Sequence, residues 1–411
     1  MPAQPLRLTL ADALSRAQAN SLPLVSAGLA ARIAREDTVQ ARAALLPNVN
    51  WSNQFIYTQP NGTSSGVFVG NDGPHVYTNQ GVVHGEIYAP GKRADYRRAM
   101  AAEAVSQAKT EIAARGLTAT VVQSYYGIVS AERRLANAEQ GRREAEQFLD
   151  ITQKQEQGGE AAHADVVRAM VLVERRRRET QDAQLTVEKA RLGLAVLAFA
   201  DFRTDFTVED DLDSVAPLPE FARIQTMAAA NNPEIRAALA TLEQQRHEIT
   251  VARGEMLPSL SFDYFFGINA NQYTIRNPEM QRNLGSAAQA QLNIPVWSWG
   301  AARSKVRQAE LRLQQAQLEL SVTQRQLLAN VNGFYREAAT ANAQLGSLGR
   351  SLDLSGESLK LTLLRYQAGE VSVLEVVDAQ STLAEARTAL EDGRLRYRFA
   401  IASLQTLTGA F

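Results

Sequence analysis

Cysteine is absent from this sequence. A thiolate nucleophile, a disulfide framework and a cysteine-based metal site are therefore excluded. Neither sign of charge dominates, because 43 lysines and arginines stand against 44 aspartates and glutamates, for a formal net charge of −1. This balance gives no electrostatic reason to expect a nucleic acid as a partner.

Long apolar runs are also missing. The best run, Leu192–Ala200, is about half as long as the ~18 apolar residues that a membrane-spanning helix needs. The first residues, MPAQPLRLTLADAL, lack the charged segment and the following apolar segment of a signal peptide. If the chain enters a membrane, the inserted part must therefore be built from β-strands.

Motifs of catalysis and of cofactor binding are not found. The four histidines, His75, His84, His163 and His247, do not have the spacing of metal ligands on one helix. The sequence contains no nucleophile elbow, phosphate loop or dinucleotide fingerprint. We therefore predict no metal, no cofactor and no enzymatic activity.

The chain consists of two copies of one plan. Leu46-Pro47 recurs as Leu257-Pro258 at an offset of 211 residues, and Gly159-Glu160 recurs as Gly369-Glu370 at an offset of 210. Tyr125-Tyr126 likewise corresponds to Phe334-Tyr335 at 209. Separate landmarks that keep the same offset predict a tandem duplication, with a hinge near Pro217-Leu218-Pro219.

Proline positions divide each repeat into helices and strands. All 13 prolines lie outside residues 91–216 and 296–411, so both tracts can be helical. In the second tract, apolar or small residues recur at steps of three and four from Val306 to Tyr366, which is typical of helices that pack side by side. A helix over 300–367 would be on the order of 100 Å long.

Strand patterns occupy the stretches between these tracts. Leu260, Phe262, Tyr264, Phe266 and Ile268 alternate with mostly polar residues, as in a transmembrane barrel strand of about ten residues. The turn-rich stretches 59–75 and 271–285 are predicted to be hairpin loops. Trp51, Trp297 and Trp299 lie at strand ends, where a membrane interface favours aromatic rings. The first predicted repeat, 1–216, contains helices over 8–45, 91–157 and 160–200 and strands over 48–58 and 76–89. The second predicted repeat, 217–411, contains helices over 219–256, 300–367 and 372–408 and strands over 259–270 and 286–296.

Four strands cannot close a barrel, and an open sheet edge is not tolerated in lipid. Other copies of the chain must therefore complete the barrel. A dimer would supply about eight strands and a trimer about twelve.

The residues described so far resemble the TolC-like outer membrane factors of the outer membrane efflux protein family. The similarity runs from Leu8 to Leu407 and rests on LTLADAL, LLPNV, MLPSL, PGKR, SWGAAR, QGGEAAHADVVRA and YQAGEVSVLEVVDAQ in this order. It implies a mainly α fold with transmembrane β, in which a homotrimer forms a helical tunnel in the periplasm and a shared 12-stranded β-barrel in the lipid of the outer membrane. It also implies two further partners, a periplasmic adaptor (membrane fusion) protein and an inner-membrane pump, and a passive conduit for efflux or type I secretion that the two partners open.

The resemblance assigns roles to residues around two helix turns. Gly158, Gly159 and Glu160 form one turn and Gly369 and Glu370 the other, and in the family such turns close the entrance and contact the adaptor. By position, the acidic entrance residues and the entrance tyrosine correspond to Asp165, Glu375, Asp378 and Tyr366.

Glu375 and Asp378 are three residues apart, so they share one helix face and in a trimer would form stacked carboxylate rings that favour cations. Val371 departs from family members that carry a basic residue there, so an ion pair that closes the gate is not implied for this chain. The alternative function is a soluble periplasmic coiled-coil scaffold, in which the apparent strands would be loops.

Overall fold

The structure is a computed structural model that describes residues 6–57, 75–201, 204–213, 217–276, 280 and 282–410. Eight helices occur in these ranges: α1 (Leu10–Asn20), α2 (Leu22–Ala43), α3 (Pro90–Gln157), α4 (His163–Ala198), α5 (Phe221–Asn231), α6 (Pro233–Gly254), α7 (Ala301–Gln367) and α8 (Val373–Thr408). The strands of the same ranges are β1 (Leu6–Leu8), β2 (Asn48–Tyr57), β3 (His75–Tyr88), β4 (Phe206–Val208), β5 (Ser259–Ala270) and β6 (Leu284–Asn293). Residues 58–74, most of the first predicted loop, lie outside the described ranges.

Two compact units contain these elements. The first unit comprises Met1–Gly28, Lys109–Ile235 and Thr323–Phe411, and the second comprises Leu29–Ala108 and Arg236–Val322. Each unit takes segments from both sequence repeats. The predicted repeat boundary at 216/217 is therefore a division of the sequence and not a division between compact bodies.

The second unit contains an antiparallel sheet with the strand order β2-β3-β5-β6. The register pairs Val83 with both Val49 and Tyr264, and it pairs Tyr264 with Ala288, so these residues lie on one face. This face also carries most of the large apolar side chains of the sheet, and many of them are exposed: Val49, Trp51, Phe55, Tyr57, Phe262, Tyr264, Phe266 and Leu292. The opposite face carries residues such as Gln80, His84, Asp263 and Gln289. The alternation that was visible in the sequence has thus become an amphipathic sheet whose apolar side is open.

The first unit is held together by apolar clusters between its helices. Tyr125 and Tyr126 of α3 are buried at the centre of one cluster, with their rings edge to face at a centroid distance of 5.4 Å. Tyr125 donates its hydroxyl hydrogen towards the carbonyl oxygens of Leu8 and Glu209, at 3.2 and 2.8 Å. Burial, the largest cause, together with the nearby Asp211 carboxylate raises the pKa of Tyr125 above its ordinary value, so the hydroxyl remains a donor.

Residues 206–213, which we call the linker, connect the two repeats and are bound by arginines of two helices. Arg133 of α3 bonds both carboxylate oxygens of Asp210, at 2.6 and 2.9 Å, and also bonds Asp213 and Glu391. Burial lowers the pKa of Arg133, but these hydrogen bonds outweigh it and leave the pKa above its usual value. Arg394 of α8 adds contacts to Asp213 and Glu391 at 3.1 and 2.7 Å. The acidic linker therefore ties α3 to α8.

Two predicted helices are each interrupted, and these predictions were wrong in the same way. Helix 8–45 is divided at Ser21 into α1 and α2, and helix 219–256 is divided at Asn232 into α5 and α6. Pro23 and Pro233 follow the breaks, and a proline ring in a helix interior clashes with the preceding turn. The Asn232 side chain caps α6 by accepting the Ile235 backbone N–H at 2.9 Å, and Ser21 accepts from Leu24 at 3.3 Å.

A short parallel pair of strands was not predicted. Leu6–Leu8 of β1 pairs with Phe206–Val208 of β4 across about 200 residues of sequence. Three-residue strands carry too little periodicity to be recognised in a sequence. In the described part of the chain, no helix is both long enough and apolar enough to cross a membrane.

Candidate functional site at two helix turns

The two Gly-Glu turns of the repeats have the same backbone geometry. Gly159 and Gly369 have positive φ angles of 80° and 75°. The Glu160 N–H bonds the Gln155 carbonyl at 2.8 Å, and the Glu370 N–H bonds the Arg365 carbonyl at 2.9 Å. The glycine N–H groups bond carbonyls three residues earlier. This is the Schellman arrangement, which requires a left-handed residue and therefore favours glycine at both positions.

The turns expose carboxylates. Glu160 and Glu370 are exposed, and Glu370 is paired with Arg365 at 3.3 Å, while Glu156 faces His163 at 2.7 Å across the other turn. Gly158 is exposed and has no positive φ, and Ala368 occupies the corresponding position of the second repeat. Of the three glycines predicted for these turns, Gly159 and Gly369 thus have a conformational requirement that Gly158 does not share.

Tyr366 lies inside the first unit. Its side chain belongs to an apolar cluster from α3, α4, α7 and α8, and the residue is only 5% exposed. Its ring packs edge to face against Phe148 at 5.2 Å, and its hydroxyl donates to Thr152 Oγ1 at 3.3 Å. Its carbonyl accepts from the Gln155 side chain at 3.3 Å. The tyrosine therefore connects the end of α7 to α3.

The acidity of Tyr366 is reduced by its surroundings. Burial is the main cause that raises the pKa of its hydroxyl, and the negative charge of Asp165 adds to it. The structure thus brings Asp165 and Tyr366, two of the predicted gate residues, close enough to interact. Asp165 itself is half-buried in the first turn of α4 and pairs with Arg168 at 3.3 Å.

Glu375 and Asp378 are exposed on α8, where they have different local environments. Glu375 completes a capping box, because Ser372 caps α8 and the Glu375 carboxylate accepts the Ser372 N–H at 3.4 Å. Asp378 makes no hydrogen bond or ion pair with the described residues. The carboxylate of Glu375 thus has a structural role in addition to any role in a gate.

Several contributing residues were missed by the sequence reasoning. Phe148, Thr152 and Gln155 hold Tyr366, and nothing in a single sequence links them to a residue more than 200 positions away. The capping box could have been found, since Ser372-Val373-Leu374-Glu375 has the spacing that defines this motif. Val371 packs against the apolar cluster, so it contributes to the packing of the turn in place of a charge.

Uncovered apolar side chains lie near the same helix ends. Large aliphatic residues of α4, α7 and α8 are exposed in the single chain: Val167, Met170, Val171, Leu354, Leu361, Leu364 and Leu374. Monomeric soluble proteins rarely leave so many neighbouring apolar side chains in water. No group of histidine and acidic residues in the described ranges is arranged to hold a metal ion.

The sequence model of the family described as "Outer membrane efflux protein" matches residues 13–198 and, a second time, residues 225–410. The chain belongs to this family. The double match confirms the tandem repeat, and it covers most of the 411 residues.

Two relatives and one solved structure illustrate the similarity. The pyoverdine export outer membrane protein OpmQ of Pseudomonas aeruginosa is 26% identical over 396 residues, which is 93% of this chain and 81% of that protein. The proteases secretion protein PrtF of Dickeya chrysanthemi is 21% identical over 412 residues, covering 97% of this chain and 88% of that protein. The outer membrane protein VceC of Vibrio cholerae has a TM-score of 0.87 at 16% identity, over 97% of this chain and 96% of that one.

These comparisons settle the class of the protein. The fold of long helices and four longer strands in two repeats is that of the TolC-like channels, as the sequence predicted. The family and its structural neighbours are outer-membrane channels and not enzymes, which confirms that prediction too. The chain is therefore an outer-membrane protein of the efflux and secretion type.

Proposed function

We propose that three copies of this chain form a passive export duct, which spans the outer membrane through a shared 12-stranded β-barrel and extends through the periplasm as a helical tunnel. The observation that carries the proposal is the amphipathic sheet β2-β3-β5-β6, found in a chain that matches the efflux family in both repeats. Its apolar face is exposed, and its two edge strands are unpaired within the described chain.

The trimer accounts for surfaces that one chain leaves open. In a ring of copies, the edge strand β2 pairs with β6 of the next copy, which removes both edges as a membrane requires. The exposed aliphatic residues of α4 on one side and of α7 on the other become buried in the same contact. A heterologous contact of this kind closes into a ring and needs no second type of subunit.

The helix turns form the periplasmic entrance in this proposal. Glu375 and Asp378 from three copies contribute up to six carboxylates, which gives the entrance a preference for cations. Tyr366 and Asp165 keep the end of α7 against α3 and α4 in the closed state. The exposed turns with Gly158, Gly159, Glu160, Gly369 and Glu370 are the contact sites for a periplasmic adaptor, which opens the entrance together with an inner-membrane pump.

The exported substance is selected by the pump in this proposal. Of the relatives named above, one is a pyoverdine export protein and another is a proteases secretion protein, so relatives of this chain differ in what they export. The chain needs no cofactor for such a role, because it supplies a pathway and no chemical step.

A deletion and complementation experiment tests the function in cells. Loss of the gene should increase the sensitivity of the cells to at least one antibiotic or dye, or abolish the secretion of one protein, and the intact gene should restore the original level. In parallel, detergent-solubilised protein should have three times the 45.0 kDa mass of one chain. A monomeric particle that is soluble without detergent, together with unchanged export, would support the coiled-coil scaffold instead.

A further inference from the structure

Four arginines occupy equivalent positions in the two repeats, at the points where a strand of the sheet is followed by a long helix. Arg93 and Arg97 lie in the first two turns of α3, and Arg303 and Arg307 lie in the first two turns of α7, at an offset of 210 residues. All four residues are exposed, and they make no hydrogen bond or ion pair with the described residues. We call them the junction arginines.

The positions of the junction arginines are electrostatically unfavourable within the protein. Residues four apart lie on the same helix face, so each pair brings two like charges together. The start of a helix also carries a partial positive charge, which disfavours a further cation nearby. The first turns of α3 and α7 contain no acidic residue that would compensate. Fold stability therefore gives no reason for these arginines, whereas a negatively charged partner does.

Other basic residues at the same helix starts are paired within the protein. Lys92 bonds Glu86 at 2.9 Å, and Lys305 bonds Glu255 at 2.6 Å. Both carboxylates are thus occupied by lysines, and the junction arginines remain as unpaired positive charge.

Exposed apolar and aromatic side chains accompany the arginines in both repeats. Ile87 and Tyr88 are 62% and 52% exposed at the end of β3, and together with Arg93 they line a cleft of about 410 Å³. Trp297 and Trp299, between β6 and α7, are 75% and 89% exposed, and their rings lie edge to face at 5.7 Å. Tyrosine and tryptophan rings are enriched where a membrane meets water. Each junction therefore combines interfacial rings with free positive charge.

The sheet register places these junctions at the boundary of the apolar face. Tyr88 is paired with Leu260, which lies on the same face of β5 as Tyr264. Asn293 of β6 is paired with Ser259, so β3 and β6 end at the same end of the sheet. Both long helices thus begin where the apolar face of the sheet ends.

We propose that the junction arginines bind the phosphate groups of anionic phospholipids in the periplasmic leaflet of the outer membrane, while Tyr88, Trp297 and Trp299 lie among the lipid headgroups. This inference rests on the proposed function, because it requires the sheet to lie in lipid. The planar guanidinium group binds two phosphate oxygens at once through parallel N–H donors. A membrane surface also offers several phosphates side by side, which suits two arginines on one helix face. The contact fixes the depth at which the sheet sits in the membrane.

Quenching of tryptophan fluorescence by brominated lipids tests the proposal. The chain has three tryptophans, so Trp51→Phe in every variant leaves Trp297 and Trp299 as reporters beside the second junction. The full-length protein is placed in phosphatidylcholine bilayers that contain a small fraction of either brominated phosphatidylglycerol or brominated phosphatidylcholine. The protein with intact arginines should prefer the anionic lipid roughly fivefold. Replacement of all four junction arginines by glutamine should abolish this preference.

Two further variants separate charge at the junctions from other effects. Lysine at the four junction positions keeps the charge and should retain most of the preference, and this variant remains informative if the glutamine variant does not assemble. The matched control replaces Arg178, Arg223, Arg336 and Arg350 with glutamine. These are exposed arginines of the first unit that also lack a hydrogen bond or ion pair with the described residues, so the control loses the same net charge. It should keep the full preference for phosphatidylglycerol.

Three results would overturn the phospholipid site. One is an equal preference in the protein with intact arginines and in its glutamine variant, and another is an equal loss in the glutamine variant and the control. The third is displacement of phosphatidylglycerol by excess inorganic phosphate, because the arginines would then bind soluble anions. Failure of the proposed function has a different signature, since a protein that neither brominated lipid quenches has not entered the bilayer at all.

Discussion

Removal of the Arg133 side chain should release the linker from α3 and α8. In Arg133→Ala, Asp210 and Asp213 lose partners, but their side chains are 42% and 60% exposed, so each pair contributes only about 0.5 kcal/mol. Glu391 is 10% exposed and, without Arg133, keeps only its pair with Arg394. Loss of the buried Arg133–Glu391 contact adds about 1.5 kcal/mol to the cost of the substitution. The sum of about 2.5 kcal/mol corresponds to a roughly 60-fold increase in local opening.

The Glu209 amide is a suitable reporter of this opening. Its N–H bonds the Leu8 carbonyl and the Tyr125 hydroxyl, both at 3.1 Å, so it exchanges with solvent only when the linker lifts. Hydrogen exchange of residues 206–213, followed by mass spectrometry, should therefore be about 60-fold faster in Arg133→Ala than in the wild type.

The neighbouring residue provides the control. Arg134 pairs with Asp392, but both side chains are about half exposed, at 44% and 51%, and neither touches the linker. Arg134→Ala should leave linker exchange unchanged and should cost at most about 1 kcal/mol of stability. Equal exchange rates of the linker in the two variants would refute the assignment of Arg133 as its anchor.

Three further predictions concern the turns, the pH and the gate. Gly369→Ala should lower the free energy of unfolding by about 1 kcal/mol, because alanine is strained at positive φ. Gly158→Ala, at a position without positive φ, should leave it unchanged. Equal losses in the two variants would contradict the turn geometry. Hydrogen bonding to Arg133 lowers the pKa of Asp213, so its contribution is complete above the ordinary value of 3.8 and is lost as the pH falls through the lower folded value. Linker exchange, corrected for its intrinsic pH dependence, should therefore be constant from about pH 7 to 5 and increase only below about pH 4; a loss of protection already at pH 6 would contradict this. The double variant Glu375→Gln/Asp378→Asn should reduce the cation selectivity of single channels. It should still fold, because glutamine preserves a capping box, and Glu357→Gln is the matched control. Unchanged selectivity in the double variant would show that Glu375 and Asp378 do not form the constriction.

The parts of the fold that could be predicted depend on patterns within one segment. The strands β5 and β6 follow from alternating residues, the long helices from tracts without proline, and the left-handed turns from Gly159 and Gly369. The helix breaks at Ser21 and Asn232 were also encoded, since each has a capping residue shortly before a proline. They were missed because the surrounding helical pattern continues through them.

The remaining features depend on contacts between distant segments. The linker acids Asp210, Asp211 and Asp213 look like a solvated run until Arg133, Arg394 and Arg398 are seen to surround them. The burial of Tyr366 depends on Phe148 and Thr152 of another helix. A single sequence contains no signal that pairs such residues. The gate residues therefore remain predictions that only measurement on the assembled protein can test.

Single-channel conductance of the detergent-purified protein in a planar lipid bilayer tests the export duct most directly. An export duct should produce small, cation-selective current steps from an assembly of three chains. Protein that remains soluble without detergent and never produces current steps would contradict the duct and leave the coiled-coil scaffold as the explanation.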